Sequence, residues 1–292
     1  MEFLERNRSK KITTVTPGGN HGDTLIHMGM IKKLNEKNID FFSLNLEKEY
    51  KNKPYIGLEF LFNIALWKVG SSRGFKLVNI PKDTDLILFE GGGYMNDFWY
   101  GPEFVHQIIK RNDKPIAIAP QSYLFSETSI DKIFGKRKNI TLFCRERYSQ
   151  KHLEDLINSE EINVKLSKDT ALYLDEKDLE NFIKPYTEEY ELVAFRQDRE
   201  SLISRDIQNK VLKKCSNPYK KDVSMIKKFD DFISLVANAG EIFTDRLHVA
   251  ILGKIMDKKT TLYPNKYHKN LGVWEYSLKD SINYEQVDIR EF

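Results

Sequence analysis

The chain has 292 residues, with 46 basic and 43 acidic side chains and a formal net charge of +3. That length suits one or two domains, and the near balance of charge speaks against an electrostatic nucleic-acid binder. Cys144 and Cys215 are the only cysteines and lie far apart, so they suggest neither a disulfide framework nor a thiolate zinc site, and no run approaches the roughly 20 apolar residues of a membrane span.

Met1 to Lys11 is polar and charged, without the apolar core of a signal peptide, and a soluble cytoplasmic protein is expected. Ile12 to Thr16 then reads as a strand. Leu25, Met28, Ile31 and Leu34 share one face of a helix, and Ile39 to Leu44 returns as a strand, which is a βαβ signature. Glu59 to Val69 is apolar enough to predict a helix packed on the first domain. The alternation continues with strands at Leu86 to Phe89, Ile116 to Ala119 and Leu142 to Cys144, separated by helices at Glu103 to Lys110 and Ile130 to Lys136. A helix at Ser149 to Leu156 and a strand at Val164 to Leu166 complete it. Short apolar strands of this kind suit a parallel sheet covered on both faces.

The polar stretch Asp175 to Glu191 reads as a linker. A second alternation follows it: strand Leu192 to Phe195, a loop at Lys213 to Lys221, helix Phe232 to Ala239, strand Ile242-Phe243, helix Leu247 to Met256 and strand Thr260 to Tyr263. The expected fold class is α/β, with two Rossmann-like domains at 1–175 and 176–292 and a cleft between them.

Four strand ends could carry chemistry. The first strand leads into Pro17-Gly18-Gly19-Asn20-His21-Gly22-Asp23, whose glycines let backbone approach a ligand ahead of a helix N-terminus. Its spacing matches neither a dinucleotide fingerprint nor a Walker loop, and its plain reading is a glycine turn with Asp23 as helix cap. Gly91, Gly92 and Gly93 follow the Leu86 to Phe89 strand, at the end where open α/β sheets bind ligands. A close ligand or the opposite domain would explain such a costly triplet. Beyond it, Trp99 offers a sugar-stacking surface or a packing aromatic.

In the second domain Arg196 stands at a strand end, and Thr244 or Asp245 is a natural N-cap that puts Arg246 and His248 in a first helical turn. Two arginines converging there would grip a small multivalent anion, whereas two surface salt bridges would explain them equally well. His106 and His152 read as surface residues, and the six histidines show no metal-ligand spacing.

The order of these motifs resembles the polysaccharide pyruvyltransferase family, from about Thr14 to Lys269: Gly19-Asn20-x-Gly22-Asp23, triple glycine, Arg196, then Arg246-Leu247-His248. Arg145 followed by Ser149, and the Lys168-Asp169 turn, belong to the same likeness. The resemblance implies a GT-B-like arrangement in which 1–175 serves the acceptor and 176–292 the donor. It implies transfer of pyruvate from phosphoenolpyruvate, as a cyclic ketal, to a sugar of a cell-surface polysaccharide or its precursor. Arg196, Arg246, Leu247 and His248 would then form the donor site, with Asn20 and Gly91 to Gly93 lining the facing wall.

The steps need an acid and a base but no metal or redox cofactor. His248 is the expected acid, because imidazole changes charge near neutral pH, and Asp23 or Asp97 the expected base. A lipid-linked acceptor would bring the enzyme to the inner membrane surface. The alternatives are a GT-B glycosyltransferase using a nucleotide sugar, and a non-catalytic carbohydrate-binding descendant.

Overall fold

Eleven strand segments fall into two wholly parallel sheets in a computed structural model of the chain, which describes residues 2–287. The chain divides into two compact units, Met1–Gly19 with Ile26–Thr170 and Asn20–Leu25 with Ala171–Phe292. The main division thus falls at 170/171 rather than 175/176, and the start of the first long helix groups with the second unit.

The first unit contains α1 (Glu2–Arg6), β1 (Ile12–Thr16), most of α2 (His21–Glu36), β2 (Phe41–Asn45), α3 (Leu46–Asn52), α4 (Pro54–Lys68) and β3 (Leu86–Phe89). It continues with α5 (Gly101–Ile109), β4 (Ile116–Gln121), α6 (Ile130–Phe134), β5 (Ile140–Cys144), α7 (Arg147–Leu156) and β6 (Ile162–Leu166). Its strand order is β2-β1-β3-β4-β5-β6.

The apolar runs alternate faces with the period of two that a strand imposes. Ile87, Phe89, Ile116 and Ile118 pack with Phe104, Val105 and Ile108 of α5, while Leu86, Leu88, Ala117 and Ala119 pack with Met30 and Leu34 of α2. All four residues of β3 are buried, which is why this strand is a continuous apolar run in the sequence.

The second unit contains β7 (Glu191–Ala194), α8 (Arg205–Lys214), β8 (Pro218–Lys220), α9 (Phe229–Ala237), β9 (Glu241–Thr244), α10 (Leu247–Ile255) and β10 (Lys259–Leu262). A short α11 (Lys269–Val273), one π-helical turn and β11 (Asn283–Tyr284) close it. Strand order is β11-β10-β9-β7-β8.

Four expectations need correction. The Lys213 to Lys221 loop contains the strand β8, whose three residues are all exposed at the sheet edge, so it carries no apolar pattern. The expected linker 175–191 folds into two 3-10 turns of the second unit and runs into β7. His106 is half-buried between Ile133 O and Ser72 Oγ, each 2.8 Å away, rather than a surface residue. His152 is also half-buried, accepting the Phe125 N–H at 2.9 Å.

Candidate active site

The second sheet has the 2-1-3-4-5 winding in its own order, with its switch point between β7 and β9, where β8 leaves on one side and β10 on the other. In such sheets ligands bind outside the carboxyl ends of the two central strands. Arg196 lies just beyond β7 and Arg246 just beyond β9.

Both guanidinium groups meet Asp198. Arg196 binds it through Nε and Nη2 at 2.8 and 3.0 Å, and Arg246 Nη2 lies 3.8 Å from its Oδ2. Arg196 Nη1 also reaches Glu200 at 3.0 Å, and Glu200 is bound in turn by Lys269. Arg246 Nη2 reaches Asp222 at 2.6 Å. The arginine side chains are only 9% and 11% exposed, so they are not the surface salt bridges of the plain reading. Burial opposes the charge of Arg196, but Asp198 and Glu200 outweigh it and raise its pKa. Burial likewise pushes Asp198 up, and Arg196 more than compensates, holding it below its usual range. Arg246 keeps one buried atom, Nε, without a hydrogen-bond partner.

The helix start after β9 differs from expectation. Arg246 itself is the N-cap of α10, in an extended conformation, and neither Thr244 nor Asp245 caps it. The Thr244 hydroxyl donates to Ala194 O at 2.7 Å and accepts the Arg246 N–H at 2.9 Å. Asp245 turns inward and accepts the Arg196 N–H at 2.8 Å and the Ser201 hydroxyl at 3.0 Å. The two arginine-bearing strand ends are therefore tied together through Thr244 and Asp245. Burial raises the Asp245 pKa to about 6, against hydrogen bonds that lower it. The Leu247 side chain is buried at 3% exposure, so only its backbone N–H, one of the donors a helix start leaves unpaired, can serve a ligand.

His248 is the second residue of α10 and lies against the start of α2. A Cβ on Gly22 would sit 2.3 Å from His248 Nδ1 and 2.7 Å from its Cβ, so this glycine makes room for the imidazole. Around it, Asn20 Oδ1 accepts the Gly22 N–H and Asp23 Oδ2 accepts the Asn20 N–H, both at 2.8 Å. Asn20 is thus the cap, and Asp23 the reciprocal partner from the third helical position. His21 anchors the same turn by donating to Ile226 O at 2.8 Å and stacking on Phe232.

In the first sheet the switch point lies between β1 and β3, and both glycine loops leave from there. The triplet has a local cause: a Cβ on Gly91 would meet Pro120 O at 2.6 Å, and Gly92 has φ 137° while its N–H donates to that same carbonyl at 3.0 Å. The close neighbour of Gly91 and Gly92 is the adjacent strand. Gly93 O accepts the Asn96 amide at 2.8 Å. Asp97 Oδ2 receives the N–H groups of Ser126 and Glu127 at 2.6 and 2.9 Å. Burial pushes Asp97 up, but bonds from Thr128, Glu127 and Ser126 outweigh it and lower its pKa, which makes it a weak base that holds a turn. Trp99 is 39% exposed and so is not a core residue.

His27, in the first long helix, reads from the sequence as either buried or facing a cleft, and its pairing with Glu90 has no sequence signal. His27 Nδ1 lies 2.9 Å from a carboxylate oxygen of Glu90, the residue before the triplet, and 3.3 Å from Thr16 Oγ1. The Glu90 side chain is 1% exposed and the His27 ring 29% exposed. A carboxylate can only accept, so the contact orients the ring with Nδ1–H toward Glu90; in the neutral imidazole that leaves Nε2 as the acceptor nitrogen.

A polysaccharide pyruvyl transferase model matches residues 20–267. The chain belongs to that family. In structure it is similar to an uncharacterised protein of Klebsiella pneumoniae subsp. pneumoniae NTUH-K2044, with a TM-score of 0.65, 19% identity and coverage of 98% of this chain and 96% of that one. It is also similar to the UDP-GlcNAc 2-epimerase of Methanocaldococcus jannaschii in complex with UDP-GlcNAc and UDP: TM-score 0.50, 12% identity, 96% and 90% coverage. These likenesses show the fold alone, the two-sheet α/β class of GT-B-like proteins. No curated protein sequence matched.

Three residues of the family likeness are structural here. Arg145 and Asp169 form a fully buried ion pair of 2.7 Å, and Arg145 Nε donates to Ser122 Oγ at 2.9 Å. Ser149 donates to the Glu146 carboxylate and accepts the Tyr123 N–H, binding α7 to the loop after β4.

Proposed function

We propose that this pyruvyl transferase uses phosphoenolpyruvate as donor and bonds its pyruvyl carbon to two hydroxyls of one sugar, giving a cyclic ketal. The observation that carries the reading is the pair Arg196 and Arg246 at the switch point of the second sheet, with the buried Nε–H of Arg246 still lacking an acceptor. Buried donors are nearly always satisfied, and a substrate phosphate or carboxylate supplies the missing partner. The Leu247 N–H and the positive end of α10 add to the same anion site.

His248 delivers a proton to the methylene carbon of the donor. The neighbouring carbon becomes electron-poor and takes the lone pair of one sugar hydroxyl, which releases its proton. Phosphate then leaves with the carbon–oxygen bonding pair, and the second hydroxyl closes the ketal and releases a second proton. Of the groups that could take a hydroxyl proton, Asp23 is engaged as the partner of Asn20 and Asp97 is held as a low-pKa carboxylate. His27, oriented by Glu90, has a basic nitrogen for the task, and Trp99 gives the acceptor sugar a stacking face. The acceptor is a polysaccharide unit or its precursor, with lipid-linked forms included.

The test is phosphate release from phosphoenolpyruvate by the purified protein across a panel of saccharide acceptors, with product mass measured. Acceptor-dependent release with a product carrying the added pyruvyl group supports the reading. Transfer of sugar from a nucleotide sugar instead, with no phosphate released from phosphoenolpyruvate, overturns it.

A further inference from the structure

Helix α4, Pro54–Lys68, is apolar both on its buried side and on its open side, with Glu59 and Asn63 on the narrow face between. Ile56, Ile64 and Trp67 turn inward and are buried, whereas Tyr55, Leu58, Leu61, Phe62 and Val69 stand 52, 67, 62, 51 and 77% exposed. Positions 55, 58, 62, 65 and 69 follow the helical spacing of three and four, so the open residues form one continuous stripe. A helix apolar on both sides is normally enclosed, and contiguous exposed apolar surface marks a place where something binds. The expectation of a helix simply packed on its domain accounts for one side only.

The stripe is ringed by cations. Lys51 and Lys53 precede the helix, Lys68 ends it, and exposed Arg73 and Lys76 follow, with the Arg73 guanidinium 5.6 Å from the Phe62 ring centre. From Glu47 to Leu77 there are six basic residues, Lys48 included, and three acidic ones. The acids are engaged locally: Glu47 with Lys51, Glu49 with Lys53, and Glu59 with the backbone N–H groups of Lys76 and Leu77.

We propose that the open face of α4 is a membrane-binding surface that lies in the headgroup region of an anionic leaflet. At 1.5 Å per residue the helix is about 22 Å long, too short to span the hydrocarbon, and its apolar stripe with basic flanks fits a helix lying in the interface. Among the described residues no helix is long and apolar enough to cross a membrane. A second copy is the weaker occupant, because a twofold contact through this face would set each basic ring against its own equivalent. The inference rests on α4 alone and does not depend on the donor chemistry.

Flotation of the full chain with vesicles tests it. The protein is expected to float with phosphatidylcholine containing one part in three phosphatidylglycerol, to float poorly with phosphatidylcholine alone, and to be partly released by high salt. The double variant Leu58→Glu/Leu61→Glu should lose about tenfold or more of the binding, with its far-UV spectrum unchanged because both side chains are exposed. Lys68→Glu/Arg73→Glu should abolish the preference for anionic vesicles, and it carries the test if the leucine variant fails to fold. Failure of the wild type to float with anionic vesicles overturns the proposal, as does binding unchanged in the variants. A concentration-dependent dimer by light scattering, split by the leucine variant in a protein that ignores vesicles, would assign the face to a second copy and overturn it too.

Discussion

The imidazole of His248 occupies the space that a side chain on Gly22 would fill, with Nδ1 only 2.3 Å from the position of that Cβ. The Gly-Asp pair of the first glycine loop and the histidine of Arg-Leu-His, far apart in sequence, are thus one local structure. Alanine at residue 22 suits a helix as such, so the substitution acts chiefly by displacing the ring. Gly22→Ala should lower turnover about 100-fold, as misplacement by about 1 Å can do, and His248→Ala should match it. Donor affinity should fall much less in both. Steady-state kinetics with donor titration checks this, and a loss confined to affinity would make His248 a binding residue.

Trp99 is exposed, so Trp99→Ala should leave thermal stability within about 0.5 kcal/mol of wild type. Its expected effect is a raised KM for the acceptor with the donor KM unchanged. A large fall in melting temperature would show that the residue is a packing element.

Glu90→Gln removes the carboxylate that orients His27. Turnover should fall about tenfold or more, with phosphoenolpyruvate affinity unaltered, and His27→Ala should be no worse in combination than alone. Additive losses in the double variant would separate the two residues.

Much of the fold was legible because the buried strands are short and apolar on both faces, as in Leu86 to Phe89. β8 was hidden because its three residues, Pro218, Tyr219 and Lys220, are all exposed and show no apolar alternation. The site was legible as strand-end residues and opaque as a network. Asp198, Glu200 and Asp222 sit in polar loops where a carboxylate is ordinary; Asp198 and Glu200 follow Arg196 by two and four residues, and only the chain's return brings Asp198 and Asp222 to Arg246. Lys269 looks like part of a solvated basic turn, yet it is buried on Glu200. Asp198 left one readable trace, its position two residues after Arg196. Asp245 suggested a helix cap because Asp commonly caps, but its carboxylate has a better use in binding the neighbouring strand end.

Asp245 also predicts a pH dependence. Its pKa rises from 3.8 to about 6 in the folded protein because burial disfavours the charge. Between those values the folded state holds the proton more tightly than the unfolded state. This group's contribution to stability is therefore intact near pH 4 and is lost as pH climbs through about 6. Asp245→Asn removes the ionisation and keeps an acceptor oxygen for the Arg196 N–H, while its amide N–H donates to a Ser201 hydroxyl that must turn from donor to acceptor. The variant should gain relative to wild type on going from pH 4 to pH 8, by up to about 3 kcal/mol. Denaturant unfolding of both proteins at the two pH values measures the difference, and a difference that does not change with pH would refute the assignment.

The central claim is that Arg196 and Arg246 bind the anionic donor, and isothermal titration with phosphoenolpyruvate tests it most directly. Wild type should bind saturably, and Arg246→Ala, which removes the buried Nε–H, should weaken binding by more than the roughly 1 kcal/mol of a surface ion pair, with UDP giving no comparable heat. Undiminished phosphoenolpyruvate binding in Arg246→Ala and Arg196→Ala, or saturable binding of UDP alone, would contradict the account.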